Sequence, residues 1–367
     1  MKKLKIAYLD FDDIRNPLLG AGQAVATLEV GKRLVKKGHK LEVFCSKYPG
    51  YKDRYENGIK YTHLGIATRN IRLNNIFYIL FLPFFISKIK ADIIVECFTP
   101  PFSVLFSPLF TKIPVVAIPS SFEAERFARQ YHLPFHWVEK FGIRFYKYFL
   151  PASGYFENKF KKINPKVKSK IVPQGFDESY LKVKPEKPEH ILYMGRFDIG
   201  QKGIDLLLYA YKKIYQKIKI PLVMIGYGPD EKKIVDLIKW LNLGKNVRLV
   251  GRKSGQEKIN LLLKALFFAV PSKHEGFCIA ALEALAVGIP VVSFDIPGLS
   301  WINSEVSLKA KPFSINDYAK KMFQLSGKKL NLGLRRNCKK FAKGFSWDKV
   351  ADQYEDFFNF MIKDNFQ

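Results

Sequence analysis

Cysteine is scarce in this chain, and its copies stand far apart in the sequence, at Cys45, Cys97, Cys278 and Cys338. They form no C-x-x-C pair, and none is paired with a histidine at the spacing that metal ligands require. The usual sequence signatures of a structural zinc site are therefore absent. Free thiols persist in a reducing compartment, so we expect a cytoplasmic protein.

Long apolar runs are also missing. The longest, residues 76–89 with the sequence IFYILFLPFFISKI, is shorter than a membrane span and is interrupted by Pro83. The N-terminal segment MKKLKIAYLDFDD has too short an apolar stretch for a signal peptide, and no cleavage site follows it. Residues 76–89 are interpreted either as a buried helix of the first domain or as an interfacial segment on a membrane.

Acidic residues are too few to balance the basic ones. The chain has 61 lysines and arginines against 33 aspartates and glutamates, a formal net charge of +28. The excess is +16 (29 minus 13) in residues 1–172 and +12 (32 minus 20) in the remainder. Such a field attracts phosphorylated substrates, anionic lipid or nucleic acid, although a lysine-rich solvated surface explains evenly spread charge as well. No specific nucleic-acid partner is expected, because the chain has no recognisable reading helix or RNA-binding signature.

The order of apolar segments predicts an α/β protein. LKIAYL reads as a buried strand, residues 23–37 repeat apolar positions at helical spacing, Gly38 ends that helix, and KLEVFC reads as the next strand. This βαβ unit implies a parallel sheet, and the same alternation returns in the second half. We expect two doubly wound, Rossmann-like domains facing each other across a cleft. Their predicted bounds are residues 1–172, joined by a C-terminal helix at 346–367, and residues 173–345.

The segment HEGFCIAALE places Glu275 and Glu283 eight residues apart, between two strand candidates. On a continuous helix this spacing is a rise of about 12 Å, too long for the carboxylate pair of a retaining hydrolase or for one metal ion. The spacing suits an extended polar ligand, with one carboxylate at each of its two ends. Free amides at the helix start, expected at Gly276, Phe277 and Cys278, favour an anionic group between those ends. Together these features describe a nucleotide sugar.

The longer segment HEGFCIAALEALAVGIPVV resembles the E-x7-E signature of the retaining glycosyltransferases of family four, which have the GT-B fold. The resemblance implies that Glu275 contacts the transferred sugar and that Glu283 contacts the ribose. It also implies a donor site that includes the residues between them, Gly276, Phe277, Cys278 and Ile279.

A second segment, GRFDIGQKGIDLLL, matches the family pattern in which an arginine and a lysine stabilise the leaving diphosphate. Here these residues are Arg196 and Lys202. The catalytic residues that the resemblance implies are therefore Glu275, Arg196 and Lys202.

The N-terminal segment GAGQ resembles the family's first loop and implies that Gly22 lets the backbone approach a donor phosphate, although a plain turn explains the glycines equally well. Arg15 and Asn16 are expected to border the cleft on the acceptor side. Many relatives carry a histidine after the strand that corresponds to PVVAI. This chain has PSSFEAE instead, so the local substitutes on the acceptor side are Ser120, Ser121 and Glu123.

Two other features depart from the family pattern, and one segment contains a motif that binds metal in other transferases. Cys278 stands where a glycine is usual, with little effect expected on the backbone amides. DIPGLSWIN lacks the glutamate that many relatives carry after this glycine turn. DFDD at residues 10–13 contains D-x-D, which ligates metal in other transferases, but we interpret it as a loop at a strand end because the family generally needs no divalent metal.

The resemblance implies a retaining, metal-independent glycosyltransferase that has no cofactor. Its expected substrates are a UDP- or GDP-sugar and a hydroxyl group of a glycan or lipid-linked acceptor. The expected location is the cytoplasm, and peripheral attachment to an anionic membrane surface at the inner membrane face is left open. A nucleotide-sugar epimerase of the same fold and a basic nucleic-acid-binding protein are the alternatives.

Overall fold

The computed structural model describes residues 3–18, 22–98, 104–119, 122 and 124–365. These residues form two compact α/β units. The first unit extends to Gln174 and includes the chain from Trp347 onward, and the second unit is Gly175–Ser346. The chain thus leaves the first unit after Gln174, where the sequence placed the boundary after residue 172, and it returns at Trp347 rather than at residue 346.

The first unit is built on one sheet. Its strands are β1 (Lys5–Asp10), β2 (Lys40–Ser46), β3 (Arg54–Glu56), β4 (Ile59–Leu64), β5 (Ile93–Phe98), β6 (Val115–Pro119), β7 (Tyr148–Phe149) and β8 (Lys168–Ser169). They lie in the order β3-β4-β2-β1-β5-β6-β7-β8, and neighbours are parallel except for the antiparallel pair β3 and β4. Its helices before the domain boundary are α1 (Gly22–Lys36), α2 (Ile71–Ile86), α3 (Ala124–Tyr131), α4 (Phe135–Gly142) and α5 (Gly154–Ile163).

Both faces of this sheet are covered, and each face has its own core. Successive residues of β1 point to opposite faces, because side chains alternate along a strand. Ile6 and Tyr8 share a core with α1, whereas Ala7 and Leu9 share a core with α2. A central parallel strand that is buried on both sides has no polar face, which explains the unbroken apolar run in the sequence of β1.

Helix α2 accounts for the longest apolar run of the sequence. Asn70 caps it, since the Asn70 side chain accepts a hydrogen bond from the Arg72 amide over 3.0 Å. The helix ends at Ile86, one turn after Pro83, whose ring removes an amide hydrogen from the helix. One face packs on the sheet and the opposite face is exposed. Within the described residues, none of the helices has the length and hydropathy needed to cross a bilayer.

The second unit repeats the alternation of helices and strands. Its strands are β9 (His190–Met194), β10 (Leu222–Ile225), β11 (Val247–Leu249), β12 (Ala265–Val270), β13 (Val291–Phe294) and β14 (Ser307–Ala310). They form a parallel sheet in the order β11-β10-β9-β12-β13-β14. Its helices are α6 (Ser179–Lys182), α7 (Ile199–Lys202), α8 (Ile204–Ile218), α9 (Glu231–Trp240), α10 (Gly255–Leu263), α11 (Ile279–Val287), α12 (Ile315–Ser326) and α13 (Lys328–Ala342).

The C-terminal helix α14 (Trp347–Asn365) completes the core of the first unit. Its buried residues Tyr354 and Phe358 join the same apolar cluster as Ile6 and Tyr8 of β1. At the edge of this contact, Glu355 accepts a hydrogen bond from Lys37 Nζ over 2.6 Å. The first sheet is therefore covered on one face partly by residues from the far end of the chain.

The fold class predicted from the sequence is confirmed: both units are α/β with parallel sheets. The short hairpin of β3 and β4 was not predicted from the sequence. Asn57 and Gly58 connect these strands with φ values of 52° and 76°, a two-residue turn for which Asn-Gly is the strongest sequence signal. The Asn-Gly signal is present in the sequence, but the charged residues around it obscure the pattern of apolar residues that predicts strands.

Asp10, at the end of β1, is a carboxyl group buried in this first unit. Thr27 Oγ1 donates a hydrogen bond to one of its oxygens over 2.5 Å, and the Asp12 amide donates to the other over 3.2 Å. Burial raises the pKa of Asp10 from its ordinary value of 3.8 to about 7. The two hydrogen bonds offset only part of the desolvation cost of the charged form.

We expect Asp10→Asn to stabilise the protein at pH 8 more than at pH 5. Since the folded pKa is raised, the folded state loses stability as pH rises from about 4 to about 7, by roughly 4 kcal/mol at most. An asparagine can keep hydrogen bonds to Thr27 and to the Asp12 amide without the charge. The measurement is the melting temperature of variant and parent across this pH range, with exposed Asp236→Asn as control. A difference that stays constant with pH would contradict the expectation.

Candidate active site

The predicted donor residues of the second unit lie on loops at one edge of its sheet. Arg196 and Lys202 follow β9, and Glu275 follows β12. Strands β9 and β12 are parallel neighbours at the point where the strand order reverses. Ligands of open α/β sheets bind outside the carboxyl ends of the strands at such a reversal point. The sheet topology therefore brings together residues that are about 75 positions apart in the sequence.

Lys202 and Glu275 form an ion pair. Lys202 Nζ lies 2.7 Å from Glu275 Oε1, and Ser272 Oγ donates to the same oxygen over 2.7 Å. The Glu275 side chain is 6% exposed and that of Lys202 is 19% exposed. Burial acts to lower the pKa of Lys202, but the Glu275 carboxylate outweighs it and the net pKa is raised. Lys202 is therefore a fixed cation at the edge of the sheet.

Arg196 is oriented differently. Its side chain is 57% exposed, and its Nη2 atom lies 3.2 Å from the Asp198 carboxylate and 2.8 Å from the Gln201 side-chain oxygen. The Tyr193 hydroxyl donates to the Arg196 carbonyl oxygen over 3.1 Å, which fixes the backbone at this point. The structure thus brings Lys202 and Glu275 into contact, whereas Arg196 contacts residues of its own loop.

Two glycines let these loops approach each other closely. At Gly203, with φ +60°, a side-chain carbon would lie 2.2 Å from the Pro271 carbonyl oxygen. At Gly298, it would lie 1.9 Å from the Glu275 carbonyl oxygen. Real side chains do not tolerate such distances, so both positions require glycine. The carbonyl oxygen of Gln201 also accepts the amide of Lys273 over 2.9 Å, which ties the loop after β9 to the loop after β12.

The helix after β12, whose start was predicted at residues 276–278, begins at Ile279. Cys278 precedes α11 with φ 71° and ψ 73°, a left-handed conformation in which a continuous helix cannot run through it. Glu275 therefore lies on the loop before α11 and Glu283 lies on the helix, so the two carboxylates do not have the spacing of a continuous helix. The amides of Ile279 and Ala280 lie in the first helical turn, where the helix itself provides no acceptor.

The left-handed backbone at Cys278 explains why glycine is usual at this position in the family pattern. The Cys278 thiol lies beside Glu275; burial first, and then the Glu275 charge, raise the pKa of this thiol well above its ordinary value. Both effects favour the neutral thiol over the thiolate, which is the nucleophilic form.

Trp301 supports the peptide before α11, and sequence reasoning missed it. Its ring stacks on Phe277 with a centroid distance of 4.3 Å and an angle of 9° between the ring planes. Its Nε1 atom donates to the Phe277 carbonyl oxygen over 2.6 Å. Trp301 belongs to the segment DIPGLSWIN, in which a family glutamate was noted as missing. The missing glutamate does not predict a tryptophan contact, so the role of Trp301 had no signal in the sequence.

Glu283 has a partner that the sequence did not reveal. Lys258 Nζ, from α10, lies 2.8 Å from Glu283 Oε1, and it also lies 5.4 Å from the centre of the Tyr180 ring. Burial acts to lower the pKa of Lys258, but Glu283 outweighs it and the net pKa is raised. The carboxylate predicted to contact the ribose is therefore held by a cation from another helix.

The predicted residues of the first unit lie near the end of β1. Gly22 is the first residue of α1, and Arg15 contacts Glu56 over 2.9 Å with most of its side chain exposed. Asn16 is buried. The other acceptor-side residues of the prediction, Ser120, Ser121 and Glu123, lie outside the described residues.

A buried ionic network holds the loop that carries Arg15. Asp13 accepts two hydrogen bonds from the Arg54 guanidinium, over 2.6 and 2.7 Å, and its Oδ2 atom lies 3.0 Å from His63 Nε2. Cys45 also lies beside Asp13 and His63. The Arg54 guanidinium already occupies the Asp13 carboxylate, so we interpret this cluster as a structural ion pair rather than as a cation site.

Two family profiles match the chain. The profile described as Glycosyltransferase Family 4 covers residues 20–180, and the profile described as Glycosyl transferases group 1 covers residues 179–345. The chain belongs to the family 4 glycosyltransferases. The first profile matches the first unit and the second profile matches the unit that carries Lys202, Glu275 and Glu283.

Curated relatives of this family 4 glycosyltransferase match it over part of their length. An uncharacterised glycosyltransferase of Methanocaldococcus jannaschii is 36% identical over 163 residues, which are 44% of this chain and 45% of the relative. The N,N'-diacetylbacillosaminyl-diphospho-undecaprenol alpha-1,3-N-acetylgalactosaminyltransferase of Campylobacter jejuni is 29% identical over 195 residues, 49% of this chain and 50% of the relative. The chain thus spans about half or less of the length of the curated relatives it matches.

Solved structures resemble the glycosyltransferase over nearly its whole length. Sucrose-phosphate synthase from Thermosynechococcus elongatus has a TM-score of 0.82 at 19% identity and covers 98% of this chain and 100% of its own. WaaG, a glycosyltransferase involved in lipopolysaccharide biosynthesis, has a TM-score of 0.76 at 15% identity, covering 96% of this chain and 99% of its own. At such low identity the resemblance establishes the fold, which is GT-B.

We expect Cys278→Gly to be more stable than Cys278→Ala by about 1 kcal/mol, because alanine keeps the strain of the left-handed backbone and glycine does not. The free energy of unfolding in denaturant is the measurement. Cys338, inside helix α13, provides the matched control. There the order should reverse, since glycine is the poorer helix former. Equal or reversed stability of the two Cys278 variants would contradict the expectation.

Proposed function

We propose that this glycosyltransferase moves a sugar from a UDP- or GDP-sugar to a hydroxyl acceptor, with retention of anomeric configuration and without a metal ion. The observation that carries the proposal is the buried Lys202–Glu275 pair beside the first turn of α11, at the reversal point of the second sheet. A fixed cation and helix-start amides favour a diphosphate, and a carboxylate beside them can accept hydrogen bonds from sugar hydroxyls.

The proposed chemistry requires charge stabilisation more than proton transfer by the protein. The bond between the anomeric carbon and the diphosphate oxygen breaks, and negative charge develops on the diphosphate. Lys202 and the amides of Ile279 and Ala280 stabilise that charge, and the exposed Arg196 side chain joins them by exchanging its contacts with Asp198 and Gln201 for the diphosphate. The acceptor oxygen then bonds to the anomeric carbon on the same face, and its proton passes to the leaving diphosphate. No protein nucleophile is needed in this scheme.

Glu275 and Glu283 have separate roles in the proposal. Glu275 binds hydroxyls of the transferred sugar while it holds Lys202 in place. Glu283 binds the ribose of the donor, and Lys258 fixes the position of its carboxylate. Carboxylates suit both roles because they accept paired hydrogen bonds from neighbouring hydroxyls.

The class of acceptor is proposed from relatives. The Campylobacter jejuni relative is named for transfer to a diphospho-undecaprenol, and two Escherichia coli relatives are named for O-antigen biosynthesis. A structural neighbour, Anabaena HepE, was solved in complex with UDP-glucose. We therefore propose a glycan or lipid-linked hydroxyl acceptor and a cytoplasmic enzyme that works at the inner membrane face.

A panel of UDP-, GDP- and ADP-sugars tests the donor. The true donor should raise the melting temperature by mass action, and Glu275→Gln or Lys202→Met should lower the transfer rate by about 100-fold or more. The exposed Glu305→Gln serves as the control and should keep its rate. Full activity of the Glu275 and Lys202 variants would contradict the proposed site. Epimerisation of the donor without an acceptor would contradict transfer itself.

Lys258→Met tests the ribose contact. Without the lysine, Glu283 loses its fixed position, so we expect Kd for the donor diphosphate to rise about tenfold. The preference for the ribose form over the 2′-deoxyribose form should fall as well, whereas Lys258→Arg should keep it. Titration calorimetry with both forms measures this ratio. A ratio that is unchanged in the methionine variant would show that Lys258 has only a structural role.

A further inference from the structure

The exposed face of α2 carries a row of large apolar side chains. Five large side chains there are between 43% and 76% exposed: Leu73 43%, Ile76 50%, Leu80 59%, Phe81 51% and Phe84 76%. Their spacing of three, four and seven residues places them on one side of the helix. The α2 surface, as we call these five side chains, is a continuous apolar stripe about 17 Å long on a convex helix.

This stripe is not required by the core of the first unit. The helix already packs on the sheet through its opposite face, which contains Asn74, Tyr78, Leu82 and Ile86. An ordinary surface helix carries polar residues opposite its buried face. A second apolar face that stays in water has a cost in solvation, and contiguous patches of this kind mark binding surfaces.

The charged residues that lie next to α2 along the chain are all of one sign. Arg69 precedes the helix, Arg72 lies in its first turn, and Lys88 and Lys90 follow its end; all four are exposed. In the sequence, no aspartate or glutamate occurs between Glu56 and Asp92. The stripe is therefore an apolar surface with cations at both ends, which matches the acyl boundary and the headgroups of an anionic bilayer.

We infer that the α2 surface docks on an anionic lipid bilayer, with the helix lying parallel to the membrane plane. The apolar stripe enters the headgroup–acyl boundary, and the four cations contact lipid phosphates. A second copy of the chain is a poorer partner, because its own four cations would then face the four cations of the first copy. The inference rests on the proposed function in one respect, the lipid-linked acceptor, since docking holds the enzyme where such an acceptor is embedded.

Vesicle flotation with the full chain tests the docking. We expect binding to phosphatidylcholine vesicles that contain about one third phosphatidylglycerol, weak binding to phosphatidylcholine alone, and weaker binding at high salt. The double variant Leu80→Ser and Phe84→Ser should lower the partition coefficient by about tenfold or more. Its matched control is Trp240→Ser, which removes a side chain that is 71% exposed on the second unit.

A second variant separates charge from apolar contact. Glutamine at Arg69, Arg72, Lys88 and Lys90 should lower binding by about fivefold for each cation removed. Glutamine at four exposed cations of the second unit, Lys232, Lys328, Lys329 and Arg336, should lower it much less. Equal loss in the two sets would overturn the inference, because a diffuse charge effect would then explain the binding.

Other outcomes also decide the question. Unchanged vesicle binding by the Leu80→Ser and Phe84→Ser variant would overturn the inference. If the parent is a dimer and this variant is a monomer, the inference is also overturned, because the stripe would then be an interface between two copies of the chain. Donor binding in the thermal-shift panel should be the same for variant and parent. A failed donor panel with intact vesicle binding would contradict the proposed function and leave the docking surface standing.

Discussion

The ion pair between Lys202 and Glu275 joins the two loops on which the candidate site depends. A buried charge is costly unless a partner and hydrogen bonds compensate for it, and here each residue is the partner of the other. The pair forms because β9 and β12 are parallel neighbours and their loops leave the sheet at the same edge. The sheet topology therefore places Lys202 and Glu275 side by side, and their ion pair links the loops after β9 and β12.

Close backbone contacts support that pair. Gly203 and Gly298 have no room for a side chain, and Trp301 donates a hydrogen bond to the peptide before α11. Cys278 accepts a left-handed backbone where glycine is the ordinary choice. Several contacts thus fix the conformation of the loop around Glu275. These contacts allow the strained backbone of Cys278 to persist beside Glu275.

The sequence predicted the features that depend on local patterns. Alternating apolar segments predicted two α/β units, and the spacing of Glu275 and Glu283 pointed to the loop after β12. It did not predict partners that come from distant segments, such as Lys258 beside Glu283 or Arg54 beside Asp13, because no local pattern encodes a tertiary contact. The left-handed backbone of Cys278 before α11 was not predicted, because a cysteine does not by itself signal a positive φ angle.

Helix α14 has a consequence for synthesis on the ribosome. Its residues complete the core beside β1, yet they are translated after the whole second unit has been made. One apolar face of the nascent first sheet therefore stays partly uncovered while 172 further residues, from 175 to 346, emerge. Domains generally fold as units in the order of synthesis, but here the later unit can finish first. The apolar residues of β1 that α14 later covers are then accessible to water and to other apolar surfaces.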